Sequence, residues 1–123
     1  MYQTNAHDTY TQNHFSVESS EKLVQMLLEG VLRFNTLAKK AIRDKDIEKK
    51  TYWINRSNRV LAELISTIDF TQGDIANYLH GLYTYQLDQL TLANIETNSD
   101  RLDQVNLVVK GLNEAWKDSA NVA

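Results

Sequence analysis

The stretch Ser19–Ile42 constrains the fold of this chain more than any other. On a wheel of 3.6 residues per turn, Gln25, Glu29, Arg33, Thr36 and Lys40 share one narrow strip. Leu23, Met26, Leu27, Val31, Phe34, Leu37, Ala38 and Ala41 lie opposite. Val24, Leu28 and Ile42 widen the apolar arc on one side, and Leu32 lies further round. The arc covers roughly 200°, where an ordinary surface helix needs about 100°. Either more of this chain or another chain must cover the excess.

The chain is 123 residues long, which suits one domain with one core. It has no proline and four glycines, a composition that favours long helices over a turn-rich β protein. Without cysteine there is neither a disulfide framework nor thiolate chemistry, and the cytosol is the expected compartment. A net charge of −3 with mixed signs argues against nucleic acid as a partner. The first residues lack the basic and apolar regions of a secretory signal, and no apolar run is long enough to span a bilayer.

Residues 1–18 are polar and aperiodic, with Tyr2, Tyr10 and Phe15 among Thr, Gln, Asn and His. They read as a mobile N-terminal arm or a short extra helix. The alternatives for its aromatics are a frayed terminus and docking on the rest of the molecule. A first helix follows from Ser19, a suitable N-cap, to about Arg43. Asp44–Asp46 is a short polar turn, and Asp46 can cap a second helix over Ile47–Ile68. Its expected core face is Ile47, Ile54, Leu61, Leu64, Ile65 and Ile68. A third helix spans roughly Asp74–Ile95, with Ile75, Leu79, Leu82, Leu90 and Ala93 as core. Its apolar arc is also over-wide: Tyr78, Tyr85 and Leu92 extend one edge, and Ala76, Tyr83 and Leu87 the other. A fourth helix covers about Asp100–Asp118 on Leu102, Val105, Val109, Leu112 and Trp116, leaving Leu107 exposed. Four helices on short connections predict an all-α, antiparallel up-down-up-down four-helix bundle over residues 19–118, with 119–123 as a tail.

No catalytic or metal-binding constellation is visible. No glutamate has a histidine three residues on, as a di-metal bundle site needs, and no phosphate-binding glycine loop occurs. His7 and His14 lack clustered carboxylate or thiolate partners, and His80 sits on a polar strip. The sequence predicts a non-enzyme with no metal and no cofactor.

The order of certain motifs resembles a known family. Ser19-Ser20-Glu21-Lys22-Leu23, Met26-Leu27-Leu28-Glu29-Gly30, Phe34 and Ala38-Lys39-Lys40-Ala41-Ile42 are similar to the start of the FliS family of flagellar export chaperones. The likeness continues through Asp46-Ile47-Glu48-Lys49, Glu63-Leu64, Leu82-Tyr83-Thr84-Tyr85, Ala93-Asn94 and Leu112-Asn113-Glu114-Ala115-Trp116. Tyr10 and Asn13 look like the family's N-terminal tyrosine segment. Ser20 stands where the family has proline, Lys22 where it has an acid, Leu28 where tyrosine is usual and Gln86 where methionine is common.

The resemblance implies a cytosolic chaperone of type III flagellar export. It would hold the disordered C-terminal segment of flagellin and so prevent premature polymerisation. A co-chaperone or a flagellar regulatory protein is a further partner to expect, and the chain itself would be a monomer or weak homodimer. Together with the over-wide arcs, the resemblance places client contacts at Val24, Leu28, Leu32, Tyr83, Leu87 and Asn94, with Tyr10 on the arm. For each apolar member the alternative is an ordinary place in the core, Leu28 and Leu87 above all. Were Val24, Leu28, Leu32 and Leu87 all sealed, with no furrow left, only the family likeness would support the role. The competing reading is a self-associating structural or adaptor bundle without a flagellin client.

Overall fold

A computed structural model describes the backbone of residues 20–122 and the side chains of 21–118. Among the described residues four helices follow in order: α1 (Ser20–Arg43), α2 (Ile47–Ser66), α3 (Asp74–Glu96) and α4 (Ser99–Val122), with one 3-10 turn at Phe70–Gln72 before α3. The first three match the expected spans closely. The last continues to Val122, four residues beyond the expected Asp118.

The helices close into a ring in which α1 packs on α2 and α4, and α3 on α2 and α4. Along the α1–α4 contact, Glu21 meets Trp116, Glu29 meets Asn113, Asn35 meets Asn106 and Lys39 pairs with Asp103. One number rises as the other falls, so the two helices are antiparallel. Gly30 beside Val60 and Phe34 on Trp53 give α1 and α2 the same relation. These registers are consistent with up-down-up-down order.

The core is a continuous apolar cluster drawn from all four helices, including Leu28, Val31, Ile54, Leu61, Leu64, Leu90, Leu102, Val105 and Val109. Its α1 stripe is Val24–Leu28–Val31–Asn35–Ala38, rotated from the expected centre. The rotation leaves Leu23 46% and Met26 68% exposed, although both were expected in the core. In α2, Ile47 is also exposed rather than buried, since it occupies the helix's first turn at the rim.

Polar groups occupy part of the interior, and several of them are paired, although the Asn58 and Asn113 side-chain oxygens have no partner among the described residues. The Ser57 hydroxyl donates to Asn35 Oδ1 at 2.6 Å, and Asn35 Nδ2 donates to Asn106 Oδ1 at 2.9 Å. This chain of bonds links α2, α1 and α4. Satisfied buried amides are tolerated in a core, and only one axial alignment satisfies them. Lys50, also buried, donates to the Asn94 carbonyl at 2.8 Å and to the Thr97 hydroxyl at 3.2 Å. It thereby caps the carbonyl end of α3 with positive charge, where the helix dipole favours it.

The helix ends explain the turns. After α1, Asp46 N–H bonds to Ala41 O and Lys45 N–H to Ile42 O, the Schellman pattern, with Lys45 at φ 59. Asp46 then caps α2 through Lys49 N–H at 3.1 Å. Gly73 opens α3 at φ 74 and ψ −131, backbone that essentially only glycine adopts. Lys45→Gly should stabilise the fold, because relief of the left-handed strain outweighs the added freedom of the unfolded chain by about 0.5–1 kcal/mol. A thermal melt should move up by a few degrees. An unchanged or lower midpoint would contradict that reading of the turn. Thr97, also left-handed at φ 51, differs because its hydroxyl serves Lys50.

Candidate binding groove

An apolar groove of about 290 Å³ opens at the end of the bundle where α1 begins, α2 finishes and α3 begins. α1 contributes Leu23 and Val24, the α2–α3 connection Ile68, and α3 Ile75, Ala76, Leu79 and Tyr83. Trp116 forms the α4 wall. Its indole N–H donates to the Glu21 carbonyl at 3.1 Å, which fixes the ring against the start of α1. Bundle ends are where a four-helix core is least able to cover the first turns of its own helices. Leu23 and Ile75 occupy those first turns and remain about half exposed.

The groove's polar groups are few, and those of Thr67, Asp69 and Gln72 bond within the fold. Burial pushes the Tyr83 phenol above its ordinary pKa of 10.0, so it stays neutral. Asp69 sits on the rim and caps the 3-10 turn, accepting from the Thr71 hydroxyl at 2.6 Å and Thr71 N–H at 3.0 Å. Those bonds, the hydroxyl first, with the Gln72 amide, hold its carboxyl below the usual 3.8. The groove therefore presents mainly hydrocarbon and aromatic surface, with the polar groups of Thr67, Asp69 and Gln72 bonded within the fold. It suits apolar side chains, and among the described residues that line it no nucleophile stands next to a base. Among the described residues no group of His, Asp and Glu is arranged to hold a metal ion.

A second apolar strip runs along α3. Tyr78 and Tyr85 are 63% and 58% exposed, with Leu82 and Leu92 half-buried beside them at helical spacing. This is the edge of the over-wide arc that the bundle leaves uncovered. It starts beside Ile75, so groove and strip are continuous along one helix.

The expected client contacts separate into three groups. Val24 and Tyr83 line the groove, although each is largely buried. Leu28 is wholly enclosed and belongs to the core; it offers no surface to a partner. Leu32 and Leu87 are half-buried against the core and do not line the groove, and Asn94 serves the fold. The Asn94 carbonyl takes Lys50 and its side-chain oxygen takes the Thr51 hydroxyl at 3.2 Å. Tyr10 lies outside the described residues. Sequence reasoning assigned Leu23, Ile68, Ile75, Leu79 and Trp116 to the core. The signal that separates them is position: they converge at one end of an antiparallel bundle.

The chain is similar to known proteins over nearly its whole length. The family model described as flagellar protein FliS matches residues 3–123. A flagellar secretion chaperone FliS of Campylobacter jejuni is 47% identical over 94% of this chain and 91% of its own length. The protein of that name from Bacillus subtilis is 28% identical over 94% of this chain and 86% of its own, and that from Escherichia coli 24% over 82% and 76%. These relatives are named as chaperones, not as enzymes. A match over nearly the whole length, on an all-helical bundle with an open apolar groove, establishes that the chain belongs to the FliS family of flagellar proteins.

Proposed function

We propose that this chain is a cytosolic flagellar export chaperone whose client is the disordered C-terminal segment of flagellin. The observation that carries the reading is the groove itself: Leu23, Ile75 and Leu79 are apolar, accessible and left uncovered by the bundle's own helices. An amphipathic segment folding as a helix would lay its apolar face there and continue along Tyr78 and Tyr85. Ordering such a segment costs about 2–5 kcal/mol. Each large apolar side chain it buries contributes about 1.5–3 kcal/mol, so a few anchors suffice. While held in this way, the segment cannot pair with other flagellin subunits.

Titration of the purified protein with a flagellin C-terminal peptide, followed by calorimetry and circular dichroism, tests the reading. The expected result is a one-to-one complex that gains helix. No complex at tens of micromolar with intact peptide would remove it. Sedimentation distinguishes the competing self-associating bundle. The chaperone reading expects a concentration-independent monomer, and a tight dimer that hides the groove would favour the other.

The arm over residues 1–18 has a role in the same proposal. Leu23 and Val24, which line the groove, lie in the first turns of α1, the helix that follows the arm in sequence. Tyr10 and Phe15 would fold over the groove in the absence of client and leave when the client arrives. Deletion of residues 1–16 should then strengthen or speed peptide binding severalfold. Unchanged affinity and rate would refute the lid.

A further inference from the structure

The outer seam between α1 and α2 carries a different chemistry from the groove. A shallow slot there is lined by Leu27, Phe34, Arg56, Arg59, Val60 and Glu63. Phe34 stacks on Trp53 at 5.6 Å, and Trp53 meets Tyr52 edge-on at 4.7 Å. The Arg33 and Arg56 guanidiniums each lie 4.9 Å from the centre of the same Phe34 ring, and Arg56 also donates to the Tyr52 hydroxyl at 3.0 Å. Both cations are therefore held in place by aromatic faces.

Neither Arg33, Arg56 nor Arg59 is in an ion pair among the described residues, whereas Lys39, Lys40, Lys49, Arg101 and Lys117 each have a carboxylate partner. Two guanidiniums on one ring are at most about 10 Å apart, roughly one Debye length at physiological salt, so their repulsion is felt. Among the described residues Glu63 is the single carboxylate lining the slot. In a chain of net charge −3, this is a local excess of positive charge around an apolar floor. Arginine and aromatic side chains of this kind are what protein interfaces concentrate at their centres.

We propose that the α1–α2 seam is a second docking surface, which takes an acidic protein segment: an apolar anchor in the Leu27–Val60 slot, with carboxylates on Arg33, Arg56 and Arg59. The planar guanidinium favours bidentate pairing with carboxylates, and the aromatic supports preorganise it. The proposal does not depend on what occupies the groove, which lies at the bundle's end.

The test uses the full chain and a short amphipathic peptide with leucines at helical spacing flanked by glutamates. Its control has every glutamate replaced by glutamine. Amide shifts at Gly30, Arg33 and Val60 should report binding of the acidic peptide, with affinity falling as salt rises. The glutamine control should bind at least about tenfold more weakly, and so should the triple variant Arg33→Gln, Arg56→Gln, Arg59→Gln toward the acidic peptide. The lysine triple variant should lose less, since charge remains while the planar fork is lost. If the glutamine variant fails to fold by thermal melt, the lysine variant and the two-peptide comparison still decide. Equal affinity for the two peptides, indifference to the arginine substitutions, or shifts confined to Leu23 and Ile75 would overturn the assignment. A seam-dependent homodimer would also overturn it. The flagellin peptide should bind the wild-type chain and the glutamine variant equally. A parallel loss would make the seam part of the client's footprint and overturn a separate partner. No binding of the flagellin peptide to wild type would instead count against the groove alone.

Discussion

Leu28→Ala should cost about 3–4 kcal/mol of folding stability and leave client affinity unchanged for the folded fraction. Leu28 is wholly enclosed among core side chains, so the change removes three carbons and opens a cavity that rigid neighbouring helices fill only in part. For a domain of this size the thermal midpoint should fall by roughly 10–15 °C. Denaturant unfolding measures the first effect and peptide titration well below the new midpoint the second. A variant with near-native stability that no longer bound flagellin peptide would return Leu28 to the client surface, where family likeness and the wide arc first placed it.

The paired substitution Leu23→Asp and Ile75→Asp should do the reverse. Both residues are about half exposed at the first turns of α1 and α3, so the fold has little to lose. Aspartate near a helix N-terminus is moreover favourable to the helix dipole. The groove, in contrast, loses two apolar anchors of about 1.5–3 kcal/mol each and must desolvate two charges when a client helix lies down. Affinity for the flagellin peptide should fall by at least about a hundredfold, while the melting temperature moves by only a few degrees. Retained affinity in a folded double variant would exclude the groove as the client's seat.

The four helices could be read from periodicity and caps because both signals are local. Asp46 had to cap α2, and the Asp44–Asp46 turn had to return the chain beside α1. The facing of α1 was harder to read. An arc of roughly 200° accommodates more than one burial direction, and the face opposite the polar strip, which includes Leu23 and Met26, is only one of them. The bundle instead turns Asn35 inward, because Ser57 and Asn106 satisfy its amide, and Leu23 and Met26 rotate outward. α3 behaves in the same way: Gln86 and Gln89 are buried, Gln89 held by Arg101 at 2.7 Å, while Tyr78 and Tyr85 face out. A single sequence shows no partner for a polar side chain that turns inward, so these positions could not be read in advance.

For the same reason, the residues chosen from the wide arcs are only partly brought together: Val24 and Tyr83 line the groove, whereas Leu28 is wholly enclosed. The wheel supplied the width of the arcs, but the groove's location depends on where helix ends meet. Leu23 on α1, Ile75 on α3 and Trp116 on α4 are far apart in sequence and line one groove only because the bundle is antiparallel. The paired cations on Phe34 have a similar origin: Arg33 and Arg56 come from different helices and meet over one ring.

An incoming client helix should sit in the groove at the open end of the bundle. Intermolecular nuclear Overhauser effects between a labelled flagellin C-terminal peptide and the methyl groups of this chain test this placement most directly. Contacts are expected at Leu23, Ile68, Ile75 and Leu79, with Leu28, Leu61 and Leu64 silent. A bound peptide whose contacts fall elsewhere, for instance at Leu107 on the outer face of α4, with none in the groove, would contradict it.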